Sequence, residues 1–287
     1  MSSARPLVSI LTPSLNQDQF LGDCIDSVAR QTYEPLEHIV VDGGSSDSTL
    51  ALLEGAPEHV RWISEPDRGQ AHAVNKAFSL CEGEIVGWVN SDDAYADRRA
   101  VAWAVEAFER QPGADVVMGH ALLVNERNVV LQLIWSPRPR RRLLELVHYV
   151  YQPTLFIRRR ALAGEEPLLR EDLDFVFDRD LVLRLLERSP FHHVGRVVAV
   201  DRHQRHRKVE RAAFHAEAER FDASLGIPKT RIRAAAARWT KACMRLAGAI
   251  SSRRLTSDVE PAIPLVWPPG RERLRWQLVT RRSRMPF

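Results

Sequence analysis

Cysteine is scarce. Cys24, Cys81 and Cys243 are the only three in 287 residues, and no C-x-x-C pair occurs. Scattered thiols argue against a disulfide framework or a cysteine zinc cluster and fit a reducing compartment. Long apolar runs are missing as well. No stretch approaches the roughly 18 apolar residues that a membrane span needs, and the opening M-S-S-A-R-P-L-V-S-I-L is too short an apolar run for a signal peptide. The expectation is a cytoplasmic protein. G-x-G-x-x-G and G-x-x-x-x-G-K-[ST] are both absent, which weakens dinucleotide and P-loop readings. There is no internal repeat or low-complexity tract, so the length leaves one large domain, or one domain with an appendage.

What is present is an ordinary globular composition, 45% apolar and 27% charged, with a net charge of +4. That charge is unevenly placed. From Lys229 onward 14 Lys/Arg stand against 3 Asp/Glu, a surplus of +11, which leaves −7 on residues 1–228. An acidic body with a basic tail is a statement about partners rather than fold.

The most informative stretch is Gly83 to Tyr95, G-E-I-V-G-W-V-N-S-D-D-A-Y. Its apolar run reads as a buried strand and ends at once in two adjacent carboxylates, Asp92 and Asp93. Ligands of open α/β sheets sit just beyond such strand ends. Two acids there make a hard-oxygen site suited to Mg²⁺ or Mn²⁺ shared with substrate phosphates. The competing reading is a cap on the next helix, near Arg98.

Three earlier strands end in the same manner. Leu7–Leu11 runs into Thr12-Pro13-Ser14-Leu15-Asn16, Glu37–Val41 into Asp42-Gly43-Gly44-Ser45-Ser46-Asp47, and Val60–Ser64 into Glu65-Pro66-Asp67-Arg68-Gly69-Gln70. Apolar spacing predicts helices at 18–31, from Ser46 or Asp47 through Leu53, and over 71–80. This alternation implies a parallel sheet with helices on both faces. It would gather the four polar loops on one edge.

Those residues carry a resemblance. P-L-V-S-I-L-T-P-S-L-N, E-H-I-V-V-D-G-G-S-S-D-S-T, I-S-E-P-D-R-G-Q-A and V-N-S-D-D resemble family 2 glycosyltransferases of the GT-A fold. Downstream, Q-P-T-L-F-I-R-R at 152–159 and D-x-D-L-x-L-R-L from Asp178 are similar to further family segments. The match runs over about the first 205 residues. The fold expected is therefore α/β, a Rossmann-like, mostly parallel sheet flanked by helices. The nucleotide-binding part would span about 1–95, the acceptor part about 96–225, and a basic helical extension 226–287.

The resemblance implies an inverting, metal-dependent enzyme using Mg²⁺ or Mn²⁺. It would move a sugar from a nucleotide sugar, UDP- or dTDP- rather than GDP-linked, to a saccharide or lipid-linked saccharide, in bacterial polysaccharide or O-antigen assembly. Asp42 at a strand end would accept the imide N–H of uracil or thymine, with Thr12, Pro13, Ser14 and Asn16 lining the same pocket. Asp67 and Gln70 would add nucleotide contacts. Asp93 would hold the metal and Asp92 the ribose or the metal's water. Asp178 is the candidate general base, ahead of Asp180, Asp174 and Asp172, with Asp180 orienting Arg184 or capping. Glu65 and Arg68 would pair on the surface. Arg158 and Arg159 would face phosphate or acceptor, or simply solvent. His203 and His206 follow a strand over 194–200, where relatives carry R-x-H-x-x-S; which of them matches stays open.

Two other classes compete. A sugar-phosphate nucleotidyltransferase should open with a G-x-G-x-R loop where this chain has T-P-S-L-N. A silent adaptor would work through the basic tail. In that tail the spacing predicts a helix over 229–250 with Ile232, Ala236, Trp239, Cys243, Leu246 and Ile250 on one face. The first expectation is that this face packs on the catalytic body. The second is docking on the inner membrane face, with cations beside an apolar stripe. Nucleic acid is not expected, given the acidic body and the lack of a reader motif. A proline-rich strap, 256–270, and a basic segment with Leu274, Trp276 and Leu278 follow.

Overall fold

The computed structural model describes residues 5–147, 149–165, 167–204, 211–256 and 259–267. His206 and the basic segment after residue 267 lie outside the described residues.

The first half alternates as its periodicity demands: β1 (Val8–Ser14), α1 (Leu21–Ala29), β2 (Leu36–Asp42), α2 (Thr49–Glu54), β3 (Val60–Ser64), α3 (Gln70–Leu80) and β4 (Ile85–Trp88). It continues with β5 (Ala94–Tyr95), α4 (Ala100–Arg110), β6 (Val116–Asn125), β7 (Val130–Ile134), α5 (Arg141–Leu146), β8 (Phe156–Arg158), α6 (Phe177–Arg188), β9 (Phe191–His203), α7 (Arg211–Ser224) and α8 (Arg231–Thr256). The nine strands among the described residues join one sheet in the order β3-β2-β1-β4-β8-β6-β9-β5, with β7 on β6. The pairs β3–β2, β2–β1 and β1–β4 are parallel, as expected. Beyond β4 the sheet is mixed: β8 runs antiparallel to β4 and β6, whereas β6 and β9 are parallel.

Alternation along each strand sends side chains to two faces. On one face Val8, Ile10 and Ile85 pack with Cys24 and Val28 of α1 and with Val101, Val105 and Phe108 of α4. On the other, Leu11, Ile39 and Val41 pack with Ala73, Val74 and Ala77 of α3, and that core continues into Leu181, Val182 and Leu185 of α6.

Several boundaries differ from expectation. Val116–Asn125 is one long strand, β6, whose register with β9 slips around His120. β9 runs three residues past Val200, to His203. β1 extends through Thr12, Pro13 and Ser14, so only Leu15 and Asn16 of that group are loop. α6 starts at Phe177, which puts Asp178 in its first turn. The strap returns to the body: Val259 and Ile263 are buried with Ala94 and Val130, and Ala262 N–H donates to Ala96 O at 3.2 Å.

The first expectation for α8 is overturned. Trp239 is 73% exposed, and Ile232 and Ile250 also face outward. The helix packs instead through its small residues, because these let its backbone come close to the sheet.

Candidate functional site

Parallel pairing brings the carboxyl ends of β1, β2, β3 and β4 to one edge, and the loops there are tied together by side chains. Asn16, at φ 52°, accepts the Ser46 N–H on Oδ1 at 2.8 Å, while its own N–H donates to Ser45 Oγ at 2.8 Å. A left-handed backbone suits Asn, whose short polar side chain bonds locally. Gly43 N–H donates to Ser14 O at 2.8 Å. A Cβ on Gly43 would stand 2.5 Å from Asp67 Oδ2, so a larger residue there would displace the Asp67 carboxylate. Asp67 Oδ1 in turn accepts the Gly69 N–H at 2.8 Å.

Asp42 is fully buried. Its Oδ2 accepts Gly44 N–H (3.1 Å), Ser45 N–H (2.8 Å) and Ser64 Oγ–H (2.7 Å), and its Oδ1 accepts the Ser45 hydroxyl. A carboxylate has about four acceptor positions, so the spare capacity lies on Oδ1. Thr12 Oγ1 is bonded to His38 Nε2 at 2.9 Å and lies 3.7 Å from Cys24 Sγ, so its side chain serves the core and its backbone is what remains for a ligand. Ser14 is the opposite case: its buried hydroxyl has no partner among the described residues.

Asp92 and Asp93 are nearly buried, at 7% and 2% exposure. Neither caps α4; that loop is turned by Asp97, whose Oδ1 accepts the Arg99 N–H at 2.7 Å. The pair is held from the far half of the chain. Asp93 Oδ1 accepts the Arg202 N–H at 3.0 Å, Asp93 Oδ2 accepts Asn90 Nδ2–H at 3.3 Å, and Asp92 Oδ2 accepts Gln204 Nε2–H at 2.8 Å. The cause is the antiparallel pairing of two-residue β5 with β9, which sets Ala94 opposite Val200. Asn90 Oδ1 also accepts from Gln70 Nε2 (2.7 Å) and Trp88 Nε1 (2.9 Å), so Gln70 joins the acid pair through one amide. The donor set is hard carboxylate oxygen, steadied by neighbouring amides. That fits a Mg²⁺ or Mn²⁺ ion that takes one or two protein carboxylates and completes its shell with phosphate and water.

Asp178 is half-buried at the second position of α6, the positive end of the helix dipole. Its helix is brought to the acid pair by stacking. Phe177 lies on Trp88 with ring centroids 5.8 Å apart, and Trp88 is the residue whose indole holds Asn90. Gln152 Nε2 donates to Trp88 O on the same side. Asp180 points away, bonded to Arg184 Nε at 2.8 Å; burial pushes its carboxyl up, against the lowering by Arg170.

Arg158 and Arg159 do not join the edge. Arg158 donates to Ala114 O and Phe108 O, and Arg159 to Gly83 O and Cys81 O, at the end of β4 remote from Asp92. They satisfy backbone carbonyls instead of facing phosphate, acceptor or solvent. Arg68 pairs with Glu171 at 2.6 Å and Glu65 with Lys76, not with each other. His203 lines a cavity of about 420 Å³ with Asn125, Glu126, Arg127 and Leu131.

The sequence reading gave no role to Asn90, Arg202 or Gln204. A signal existed for two of them. Val198, Val200, Arg202 and Gln204 alternate on one side of β9 and its continuation, so an apolar row turns polar at the strand's carboxyl end.

Comparison with known proteins adds to this geometry. The model of a family described as glycosyl transferase family 2 matches residues 9–164. An uncharacterized glycosyltransferase of Mycobacterium tuberculosis is 36% identical over 141 residues, 48% of this chain and 52% of that protein. Chondroitin synthase of Escherichia coli is 30% identical over 199 residues, 67% of this chain and 28% of that protein. The chain thus spans about half the length of the first relative and less of the second. Among solved structures, S. aureus TarS 1–349 in complex with UDP-GlcNAc superposes with a TM-score of 0.61 at 20% identity, over 76% of this chain and 65% of that one. A mannosyltransferase from Pyrobaculum calidifontis in complex with GDP-Man and Mn²⁺ gives 0.57, over 87% and 72%. At such identity these likenesses show the shared glycosyltransferase fold.

Proposed function

The chain belongs to glycosyl transferase family 2, and from that premise we propose that it is an inverting transferase moving a sugar from a UDP- or dTDP-sugar to a saccharide or lipid-linked saccharide. In this reading Ser14, Asn16, Asp67 and the backbone around Thr12 and Pro13 enclose the nucleoside. Asp42 Oδ1 accepts the imide N–H of the base. Asp93 holds a divalent cation, and Asp92 holds the ribose or the cation's water. When bound, that cation supplies charge neutralisation for the diphosphate leaving group.

Asp178 takes the proton of the acceptor hydroxyl as its oxygen bonds to C1 and the C1–O bond to the nucleoside diphosphate breaks. Such proton transfer is typically worth about 10²–10⁴ in rate. The observation that carries the reading is the Phe177–Trp88 stack, which sets the helix bearing Asp178 against the strand that ends in the acid pair. The chondroitin synthase relative supports a polysaccharide setting.

The test is a panel of nucleotide sugars with and without Mn²⁺, read by thermal shift and by transfer or slow hydrolysis. A UDP- or dTDP-sugar should raise the midpoint more with Mn²⁺ than without. Asp93→Ala should lose the metal-dependent part. Asp178→Asn should keep donor binding and lose at least about a hundredfold in turnover. Response only to GDP-sugars would overturn the donor assignment, and undiminished turnover of Asp178→Asn would move the base elsewhere.

A further inference from the structure

α8 is 26 residues long, and its rotation about its own axis is fixed. Arg233 donates to Asp222 at 2.9 Å and to Glu145 O, which ties down the amino-terminal end. Further along, Gly248 sits so close to β7 that a Cβ would stand 2.9 Å from Leu133 O. Thr240, Met244, Gly248, Ser252 and Thr256 follow at four-residue steps on the buried or half-buried side. The side turned to solvent is the apolar one. Ile232 is 83% exposed, Trp239 73%, Leu246 45% and Ile250 73%, with Cys243 exposed among them. At 3.6 residues per turn these five fall within about 60° of arc. Arg231, Arg238 and Arg245 make a parallel row at the same seven-residue spacing, one flank away. The helix holds seven Lys/Arg and no Asp/Glu.

Single exposed apolar residues need no explanation. A stripe of five beside a row of arginines, on a helix whose other side is locked, does. We propose that this face of α8 lies in the plane of an anionic phospholipid surface, with Trp239 and its neighbours at the headgroup boundary and the arginines on the phosphates. Charge selects this occupant. A second copy would set seven cations against seven with no acid in either helix. A nucleic acid would satisfy the arginines, but it offers the aliphatic stripe nothing to bury. A bilayer takes both parts. The helix would lie on the membrane, not cross it: no described helix is long and apolar enough to span. The docked face also shares a frame with the acceptor side of the site, because Asp222 bonds both Arg233 and Arg179, the neighbour of Asp178. The inference rests on packing and charge alone and stands apart from the donor assignment.

The experiment is co-sedimentation of the full chain with vesicles of phosphatidylcholine, with and without phosphatidylglycerol. Binding should require the anionic lipid and fall in high salt. Trp239→Ala/Ile250→Ala should weaken it by at least about tenfold, with the thermal midpoint unchanged because both side chains are exposed. Trp239→Phe should abolish a vesicle-induced blue shift in tryptophan emission. Three results would overturn the proposal: no sedimentation with anionic vesicles, binding by the double variant equal to the parent, or a dimer in solution that the same variant dissociates.

Discussion

A guanidinium with no exposed atom needs partners, and Arg202 finds them at Nη2 and over one face, while Nε and Nη1 have none among the described residues. Its Nη2 donates to Asp23 Oδ2 at 2.8 Å and to Asn128 Oδ1 at 2.7 Å, and its plane lies 4.6 Å over the Phe20 ring. Its main-chain N–H meanwhile holds Asp93. The side chain anchors the strand end, and the backbone positions the acid. Arg202→Leu leaves Asp23 and Asn128 facing an apolar residue; because the Asp23 side chain is 31% exposed and can rehydrate, the expected cost is about 1–3 kcal/mol. The expected result is a lower thermal midpoint together with a weaker Mn²⁺-dependent shift by donor. Asp23→Leu/Arg202→Leu should recover stability but not the metal-dependent shift. Full recovery of both would make Arg202 merely structural. The acids themselves were legible, because each follows an apolar run that reads as a strand. Arg202 was not, because the alternation that carries it along β9 does not say that a charged residue there is enclosed.

The elements show where local reading stops. Strands and helices of the first half follow from periodicity, and their loops converge because parallel pairing requires it. The start of α6 depends instead on a residue about forty positions later. Glu217 of α7 is buried, and its carboxylate accepts the N–H groups of Asp174, Phe175 and Val176 at 2.8–3.0 Å. These are backbone donors leading into a helix start, and they would otherwise go unsatisfied. No capping box precedes Phe177, and the structure holds the segment before it, Asp174 to Val176, on Glu217. Charge-assisted bonds of this kind contribute about 1.5–3 kcal/mol each. Glu217→Ala should therefore destabilise the chain by roughly 3 kcal/mol. Turnover should fall while donor affinity stays, because the proposed base, Asp178, moves and the loops proposed to hold the nucleotide do not. Glu217→Gln, which keeps one acceptor, should recover part of both. A rise in donor KM with unchanged kcat would sink the idea. The outward stripe of α8 was misassigned for a related reason. Amphipathic spacing identifies an apolar face, and only the close approach at Gly248 decides which face meets the sheet.

For the molecule as a whole, the buried histidines set how stability depends on pH. His38 is fully buried, and burial pushes its pKa down to about 3. His120 is likewise lowered to about 3, first by burial and then by His193, whose ring centroid lies 4.4 Å away. Both imidazoles are thus neutral in the folded chain, whereas in the unfolded chain they bind protons below about pH 6.5. A depressed folded value gives stability that is complete above about 6.5 and is lost as pH falls from there toward 3. Each histidine contributes a slope of about 1.4 kcal/mol per pH unit inside that window. Asp180 has the opposite sign: burial raises its carboxyl, so the stability lost to its ionisation is regained as pH falls from its raised value toward the ordinary 3.8. Between pH 6.5 and 5 the histidines should dominate. Urea midpoints measured at pH 7.5, 6.5 and 5.5 should be level over the first interval and fall over the second. His120→Gln keeps an acceptor for the Ser136 N–H, now bonded to His120 Nδ1 at 3.1 Å, but it cannot titrate. It should flatten the slope by about one proton's worth. A parent protein equally stable at pH 6.5 and 5.5 would mean that these rings are solvated or already charged in the fold.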